Sequence, residues 1–494
     1  MAMGQSLQFG FSGTTECGDF YKRRNPEDSF LYRVVQKNWK TFLEQTNRDL
    51  LHYIIKEFES YLQCGVLANG FLRLKCESCR HEKLVSFSCK KRGFCPSCCG
   101  RRMAESGVFL SENVFPRVPV RQWVISFPIP LRFWMASNPR LMNKVLEIST
   151  RAINSFYKKQ AKARLIQNCN TGSVTLIQRF GGSVNLNIHF HELWMEGVFI
   201  KKDKNEKPVL EWIREPSDDD VLNVLKTIQK RLVRLLIRRG LLADEKTIAD
   251  EAQTSFDDHD QLNGLKAAST QNRLAMGENA GQRVRRVGGF GEIGQKPKKE
   301  SRLCASLDGF SLHANVLIEA DKPEKLEKLC RYVSRPPVAE GRLFKYSENE
   351  IGYFLKNEWH DGTFAVKFSP LEFIEKLVAL IPPPRIHLTR FFGVLAPHHA
   401  WRSMIVPTGG LPKEEVKKKF QNQIKWAELL KRVFKIDITV CPECNGKLKF
   451  ISVIIERRVV VKILEHLQLP SVIPRWDEPR PPPSLEFLPL PFSR

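Results

Sequence analysis

Val184-Asn185-Leu186-Asn187-Ile188-His189-Phe190-His191 alternates apolar and polar residues strictly, as a half-buried β-strand does. Side chains along a strand alternate between faces. Val184, Leu186, Ile188 and Phe190 are therefore expected in a core, with Asn185, Asn187, His189 and His191 together on the other face. Two imidazoles at i and i+2 on a rigid strand are spaced to share one divalent metal. The competing reading is a pair of half-exposed strand histidines without a ligand, and the rest of the chain decides between the two.

Working outward from this strand, Arg121–Phe127 reads as a second strand and residues 140–163 as an amphipathic helix. On the other side, a helix rich in Lys and Arg is expected from about Asp218 to Leu242. Residues 244–303 carry an acidic run and then a Gly/Lys/Arg-rich stretch, and are expected to form a mobile loop or insertion. Gly289-Phe290-Gly291-Glu292-Ile293-Gly294 matches a dinucleotide-binding pattern but lacks the strand before and the helix after, so it is rejected. A further alternating strand, Phe310–Ile318, precedes a helix over Pro323–Arg335 that Pro336-Pro337 stops. Tyr332 lies at the edge of that helix's apolar face (Leu326, Leu329, Cys330, Val333), with Arg331 beside it and Arg335 three residues on. Such arginines suit a phosphate held against the phenol.

Cysteine usage points to a second metal. Six of the thirteen cysteines fall between Cys76 and Cys99. Cys76-Glu77-Ser78-Cys79 and Cys95-Pro96-Ser97-Cys98, fifteen residues apart, have the spacing of a zinc ribbon with four thiolates. Cys89 and Cys99 are candidates to replace one ligand. Arg101, Arg102 and nearby Lys and Arg residues suit contact with DNA phosphates. A third pair, Cys441 and Cys444, makes half a site, with His398 and His399 as conceivable co-ligands. The segment Phe30–Leu62 reads as helical, and the stretch from Pro470 holds eight prolines in 25 residues, a composition expected to be disordered.

The balance of 78 Lys+Arg against 54 Asp+Glu leaves a net charge of +24, which favours a polyanionic partner, nucleic acid above all. No stretch is apolar and long enough to span a bilayer, and Met1–Gly10 lacks the apolar core of a signal peptide, so no membrane partner and a cytoplasmic, nucleoid-associated location are expected. In such a compartment crowded thiols bind metal in preference to forming disulfides.

Taken together, these residues resemble a known family. His189-Phe190-His191 looks like the HUH signature (His, bulky hydrophobic, His) of single-strand DNA endonucleases. The order of zinc knuckles, HUH strand and Tyr helix is similar to the rolling-circle transposases of the insertion-sequence-91 type, including the common-region elements. The resemblance extends through Phe87–Cys98, Gln178-Arg179-Phe180-Gly181, Asp308–His313, Cys330–Pro337 and Pro382–Arg390. Several family members carry two tyrosines four residues apart; here the position four before Tyr332 is Lys328, so the chain resembles the single-tyrosine branch.

The resemblance implies that His189 and His191, with His313 as a candidate third ligand, hold Mg²⁺ or Mn²⁺. It also implies that Tyr332 attacks a scissile phosphate of single-stranded DNA at element ends and targets to give a 5′-phosphotyrosine. Arg331, Arg335, Arg101 and Arg102 are the expected phosphate contacts, and zinc at Cys76, Cys79, Cys95 and Cys98 (or Cys89) is structural. Glu192 is expected on the opposite strand face. The expected fold is α+β: an N-terminal arm (1–29), a helical and zinc-ribbon module (30–110), a central HUH domain with an antiparallel sheet and flanking helices (111–380), a small C-terminal region (381–469) and a Pro-rich tail (470–494). A plasmid replication initiator or relaxase with the same chemistry, and a non-catalytic zinc DNA-binding protein, are the competing readings.

Overall fold

The computed structural model describes residues 25–46, 50–203, 206–244, 261–289, 302–407 and 439–474. Most of the expected N-terminal arm, most of the acidic run, Phe290–Gly294 of the glycine stretch and residues 475–494 of the Pro-rich tail lie outside them.

The fold is a mixture of helices and antiparallel sheets. The helical N-terminal segment is two helices, α1 (Phe30–Gln45) and α2 (His52–Gln63), followed by the strands β1 (Phe71–Cys76) and β2 (Glu82–Ser86) and by α3 (Pro96–Phe109). The aromatic face of this pair is closed by Trp39, whose ring stacks 3.9 Å from that of Phe58. The chain then builds β3 (Val120–Ser126), α4 (Ile129–Ser137), α5 (Pro139–Ala163), β4 (Gly172–Phe180) and β5 (Leu186–Met195). A small hairpin, β6 (Val198–Ile200) with β7 (Val209–Glu211), leads to α6 (Asp218–Arg238). Ser217 and Asp220 form a capping box at the start of α6, satisfying backbone N–H groups that have no partner inside the helix.

The strand that opened the sequence reading is the third of six in an antiparallel sheet. Its order is β14 (Thr389–Gly393), β4, β5, β3, β10 (Phe310–Ile318), β9 (Cys304–Leu307). The two faces of this sheet differ. Trp123, Ile125, Ile177, Ile188, Phe190 and Trp194 pack into the large core with α4, α5 and α6. Below them runs a buried polar network. The Arg121 guanidinium pairs with Glu196 at 2.8 Å, both fully buried, and donates to the Ala314 carbonyl. Tyr157 donates to the other Glu196 oxygen at 2.9 Å. The opposite face carries Leu176, Leu193 and Met195, which pack against Leu326, Cys330 and Val333 of the Tyr332 helix (Pro323–Val333). Both faces of β5 are covered, so its pattern ceases to alternate after His191 and the strand runs on to Met195.

A second sheet has the order β11 (Leu343–Ser347), β12 (Glu350–Phe354), β13 (Thr363–Phe368), β8 (Arg285–Gly288). Residues 244–303, expected as a loop or insertion, thus supply β8 and also a helix over Gln261–Thr270. Leu262 and Leu265 of that helix are buried, and its Ser269 hydroxyl accepts the Leu186 N–H at the start of β5. The glycines and charges of the stretch hide its short apolar spacing. A third sheet places β15 (Leu448–Ile454) beside β1, in the order β15-β1-β2. No helix among the described residues is long and apolar enough to cross a membrane.

Candidate functional site

His189 and His191 lie on one face of β5, their ring centroids 5.0 Å apart and inclined at 65°. His189 Nδ1 lies 2.9 Å from the Asn187 carbonyl. A carbonyl can only accept, so Nδ1 carries the proton and Nε2 keeps its lone pair. His191 Nδ1 lies 2.7 Å from the Gln122 side-chain amide nitrogen. Burial pushes the His189 imidazolium down to about 4, aided by the charges of Arg335 and Arg132. Burial, then His189 and Arg335, hold His191 well below its ordinary value. Both rings are therefore neutral at physiological pH, the form that ligates a metal.

Two amide oxygens near this pair bear on whether a hard cation fits. Asn187 Oδ1, two residues before His189, is buried without a hydrogen-bond partner among the described residues, and so is Gln178 Oε1. Gln178 is paired in register with His189, so it shares that face of the sheet. Hard cations take about six ligands, mostly oxygens, and this donor set of imidazoles and orphaned amide oxygens fits one. His313 is the expected third ligand. It lies on the same face, and its register partner is Val124, whose own partner on the next strand is His191. Two strand spacings, roughly 9–10 Å, separate the backbones of His313 and His191, a gap that two imidazoles reaching toward one ion span. Among the described residues, groups of three or more possible His/Cys/Asp/Glu ligands form only at cysteines. Glu192 does point to the opposite face: it accepts from Ser149 at 2.7 Å and from Trp194 at 3.1 Å, and burial raises its carboxyl to about 7.

The Tyr332 helix is held over this face by Gln178, whose amide nitrogen donates to the Val333 carbonyl at 2.8 Å. Tyr332 is 39% exposed. Its hydroxyl accepts from Lys356 Nζ at 3.0 Å, and the Arg335 guanidinium lies 4.7 Å from its ring centroid. Burial pushes the phenol up, but the Lys356 hydrogen bond and the Arg335 and Lys356 charges outweigh it, so the net shift is downward. Arg335 thus contributes to the shifts of Tyr332 and of both histidines. Of two nearby tyrosines, Tyr353 is buried, its hydroxyl accepting the Ala339 N–H, while Tyr346 is exposed with Lys367 over its ring.

The expected phosphate arginines separate. Arg335 faces the site. Arg331, one residue from Tyr332 and so about 100° round the helix, lies against α3: a Cβ on Gly107 would come within 2.3 Å of its side chain. Arg331 also faces Glu327 at 3.7 Å. Arg101 pairs with Glu105 at 2.7 Å on α3. Arg102 bonds the Lys90 carbonyl and lines a cleft of about 450 Å³ that Arg335 also lines. Lys356, Arg132, Gln122 and Gln178 were missed by sequence reasoning. Gln178 opens the Gln178-Arg179-Phe180-Gly181 motif, but only strand register reveals its role.

The cysteines also regroup. Cys76 and Cys79 do not meet Cys95 and Cys98. Cys64, Cys89, Cys95 and Cys98 converge with their sulfurs within 4.8 Å of one another; Cys64 to Cys98 is 3.7 Å and Cys89 to Cys98 is 3.4 Å. Sulfurs of a tetrahedral zinc with 2.3 Å bonds lie about 3.8 Å apart, so these four fit a structural zinc. Neighbouring thiols, Cys64 first, hold the Cys98 thiol well below its ordinary value, favouring the ligating thiolate. Cys64 ends α2 and Cys98 begins α3, so the site locks these helices together. Cys99 turns away to the Gly93 carbonyl. Cys76 and Cys79 instead meet Cys441 and Cys444. His399, a conceivable partner of that pair, accepts from the Trp401 N–H and does not join it.

Two family models match the chain. The family described as "Putative transposase" matches residues 172–404, which contain His189, His191 and Tyr332. The family described as "Transposase zinc-binding domain" matches residues 34–127, which contain Cys64, Cys89, Cys95 and Cys98. No curated protein and no solved structure matches. With a zinc-binding domain ahead of a transposase domain, the chain is a transposase of the insertion-sequence-91 type.

Proposed function

We propose that this transposase is an HUH endonuclease that cuts and rejoins single-stranded DNA by transesterification, with Tyr332 as the only nucleophile, in rolling-circle transposition. The observation that carries the reading is the placement of Tyr332: its oxygen bonds Lys356 Nζ at 3.0 Å, and Arg335 acts on it and on the His189/His191 pair alike.

Lys356 and Arg335 stabilise the phenolate that a tyrosine needs to react, and the exposed edge of the ring lets its proton leave to water. The phenolate oxygen bonds to phosphorus, the bond from phosphorus to the 3′-oxygen breaks, and that oxygen leaves as a 3′-hydroxyl after gaining a proton. One phosphodiester replaces another, so a different 3′-hydroxyl reverses the step without ATP. His189 and His191, with the Asn187 and Gln178 amide oxygens, would hold a Mg²⁺ or Mn²⁺ ion. When bound, that ion supplies Lewis-acid polarisation of a non-bridging phosphate oxygen. The Gln122 amide must turn its oxygen to His191 Nδ1 for Nε2 to be free, a side-chain rotation of 180° that costs no packing.

Exposed rings beside Lys356 support a single-stranded substrate. Phe354 lies two residues before it, stacked 4.3 Å from Phe344 and 6.4 Å from Phe364. Such rings suit unpaired bases, whose faces a duplex conceals. The test is incubation of the protein with labelled single-stranded DNA from the element's ends and Mg²⁺ or Mn²⁺. A covalent adduct that survives detergent and vanishes in Tyr332→Phe is expected. An adduct that persists in Tyr332→Phe, or that forms only on duplex DNA, contradicts the reading.

A further inference from the structure

The zinc-binding match ends at residue 127 and the transposase match at 404, yet residues 439–474 fold onto the N-terminal module. β15 pairs with β1 from Phe71↔Ile454 to Cys76↔Leu448. The helix Arg457–His466 seats Val460 and Leu464 among Val66, Leu67, Phe71 and Leu84, and Arg457 donates to the Ala68 carbonyl at 2.8 Å. At the end of this pairing, two Cys-x-x-Cys knuckles face each other. Cys76 and Cys444 sulfurs are 3.4 Å apart, Cys79 and Cys441 3.5 Å, and all four lie within 4.8 Å of one another.

The two knuckles are alike. In each, the residue after the second cysteine is left-handed, Arg80 at φ 63° and Asn445 at φ 59°. In each, a cysteine sulfur accepts from the backbone N–H two residues on at 3.4 Å, Cys76, the first of its pair, from Ser78 and Cys444, the second of its pair, from Gly446. Gly446 is required by the approach itself, because a Cβ there would lie 2.6 Å from Ser78 Oγ and 3.0 Å from Cys76 Sγ. We propose that Cys76, Cys79, Cys441 and Cys444 form a second structural zinc site that staples the C-terminal segment into the zinc module. It joins positions 362 residues apart, so the module is completed by chain that lies beyond the transposase domain. Four thiolates in a tetrahedron select zinc over harder cations.

Metal analysis of the purified full-length protein tests this. Two zinc ions per chain are expected, falling to one in Cys441→Ser and to one in Cys95→Ser. A protease site inserted between residues 408 and 438 supplies a readout that needs no cysteine variant: after cleavage the C-terminal fragment should co-elute with the rest and separate when zinc is chelated. One zinc per wild-type chain, unchanged by Cys441→Ser, would overturn the proposal. So would a fragment that separates while both zinc ions remain.

A different observation carries a second inference, which rests on the proposed single-strand chemistry. Arg179 is 4% exposed, yet its Nε and Nη2 have no hydrogen-bond partner among the described residues. It lines the cleft of about 450 Å³ together with Arg92, Arg102, Arg335 and His387, and among the described residues no carboxylate lines that cleft. The unpartnered Ser334 hydroxyl lines it too. Arg92 braces one wall by donating to the Ile386 and Pro383 carbonyls. Leaving two N–H-bearing nitrogens of a buried guanidinium unpartnered is costly, and a phosphate offers two parallel acceptors to that edge. We infer that this cleft binds a backbone phosphate of the DNA strand that runs to Tyr332. Arg335, which lines the cleft and packs on the Tyr332 ring, connects the two.

The test measures oligothymidine affinity across salt concentrations and thermal stability for Arg179→Met. Affinity should fall roughly 10- to 150-fold, and the salt slope should shrink by about 0.7 per lost phosphate contact. The melting temperature should hold or rise, because the variant removes an unpaired buried charge. Unchanged affinity, with the Tyr332 adduct still formed, would overturn the cleft and leave the chemistry standing. Weakened binding in a protein whose wild type forms no adduct would uphold the cleft and remove the chemistry. A wild type that binds no oligothymidine would also overturn the cleft.

Discussion

Replacing Lys356 by methionine keeps most of the side-chain stem and removes the ammonium that donates to Tyr332 Oη at 3.0 Å. A hydrogen bond to a charged group contributes about 1.5–3 kcal/mol. Tyr332 is 39% exposed, so water screens part of this and the lower half of the range applies, roughly 1.5–2 kcal/mol. That is a loss of about 10- to 30-fold in the rate of covalent attack. Direction with pH is also fixed. Lys356 and Arg335 hold the phenol below its ordinary value despite burial, so without Lys356 the phenolate forms at higher pH. The variant's deficit should therefore be largest near neutrality and shrink as the buffer becomes more alkaline. Single-turnover adduct formation on a labelled oligonucleotide, followed across pH, measures both. An unchanged rate, or a deficit that does not vary with pH, would refute the assignment of Lys356 to the phenolate.

Other consequences are equally direct. Glu192 is raised by burial from 4.5 to about 7, so the folded state holds a proton that the unfolded state releases; its stabilisation is full below pH 4.5 and is lost as pH rises through 7. Thermal melts of Glu192→Gln should lack this component, which amounts to about 3 kcal/mol, and a pH dependence identical to wild type would contradict it. Arg121→Met leaves Glu196 buried beside Tyr157 without its cation, at a cost of about 3–5 kcal/mol by denaturant titration; a loss below 1 kcal/mol, the scale of an exposed pair, would contradict it. Gln122→Leu should weaken Mn²⁺ binding on the order of 10- to 100-fold by calorimetry, while Gln122→Glu, which can only accept from His191 Nδ1, should retain or tighten it; equal affinities in all three proteins would remove Gln122 from the site.

The histidine strand was legible because one of its faces is apolar and the other polar over eight residues, and the observed strand differs only at its ends. The Tyr332 helix was legible from its apolar spacing and its proline stop, although it ends at Val333, since the residues before Pro336 are pushed out of helical conformation. The cysteine partition was not legible. Spacing along the chain made Cys76-x-x-Cys79 and Cys95-x-x-Cys98 look like one ribbon, whereas β1 and β2 carry the first pair away from the second. The true partners, Cys64 and the Cys441/Cys444 pair, are joined by tertiary packing that no local pattern encodes. One signal was available: Cys64, Cys89 and three Cys-x-x-Cys pairs make eight ligands, the number for two tetrahedral sites. Lys356 and Gln122 left no such trace, because each acts through a single contact across strands or sheets.

The central claim is that Tyr332 becomes joined to the 5′ side of a cut strand. Proteolysis of the adduct followed by mass spectrometry locates the joined residue, and polymerase extension of the released DNA reads its new end. The account predicts nucleotide phosphate on the peptide containing Tyr332 and a released strand that is extended from a free 3′-hydroxyl. Nucleotide on any other residue, or a released strand with a blocked 3′ end, would contradict it.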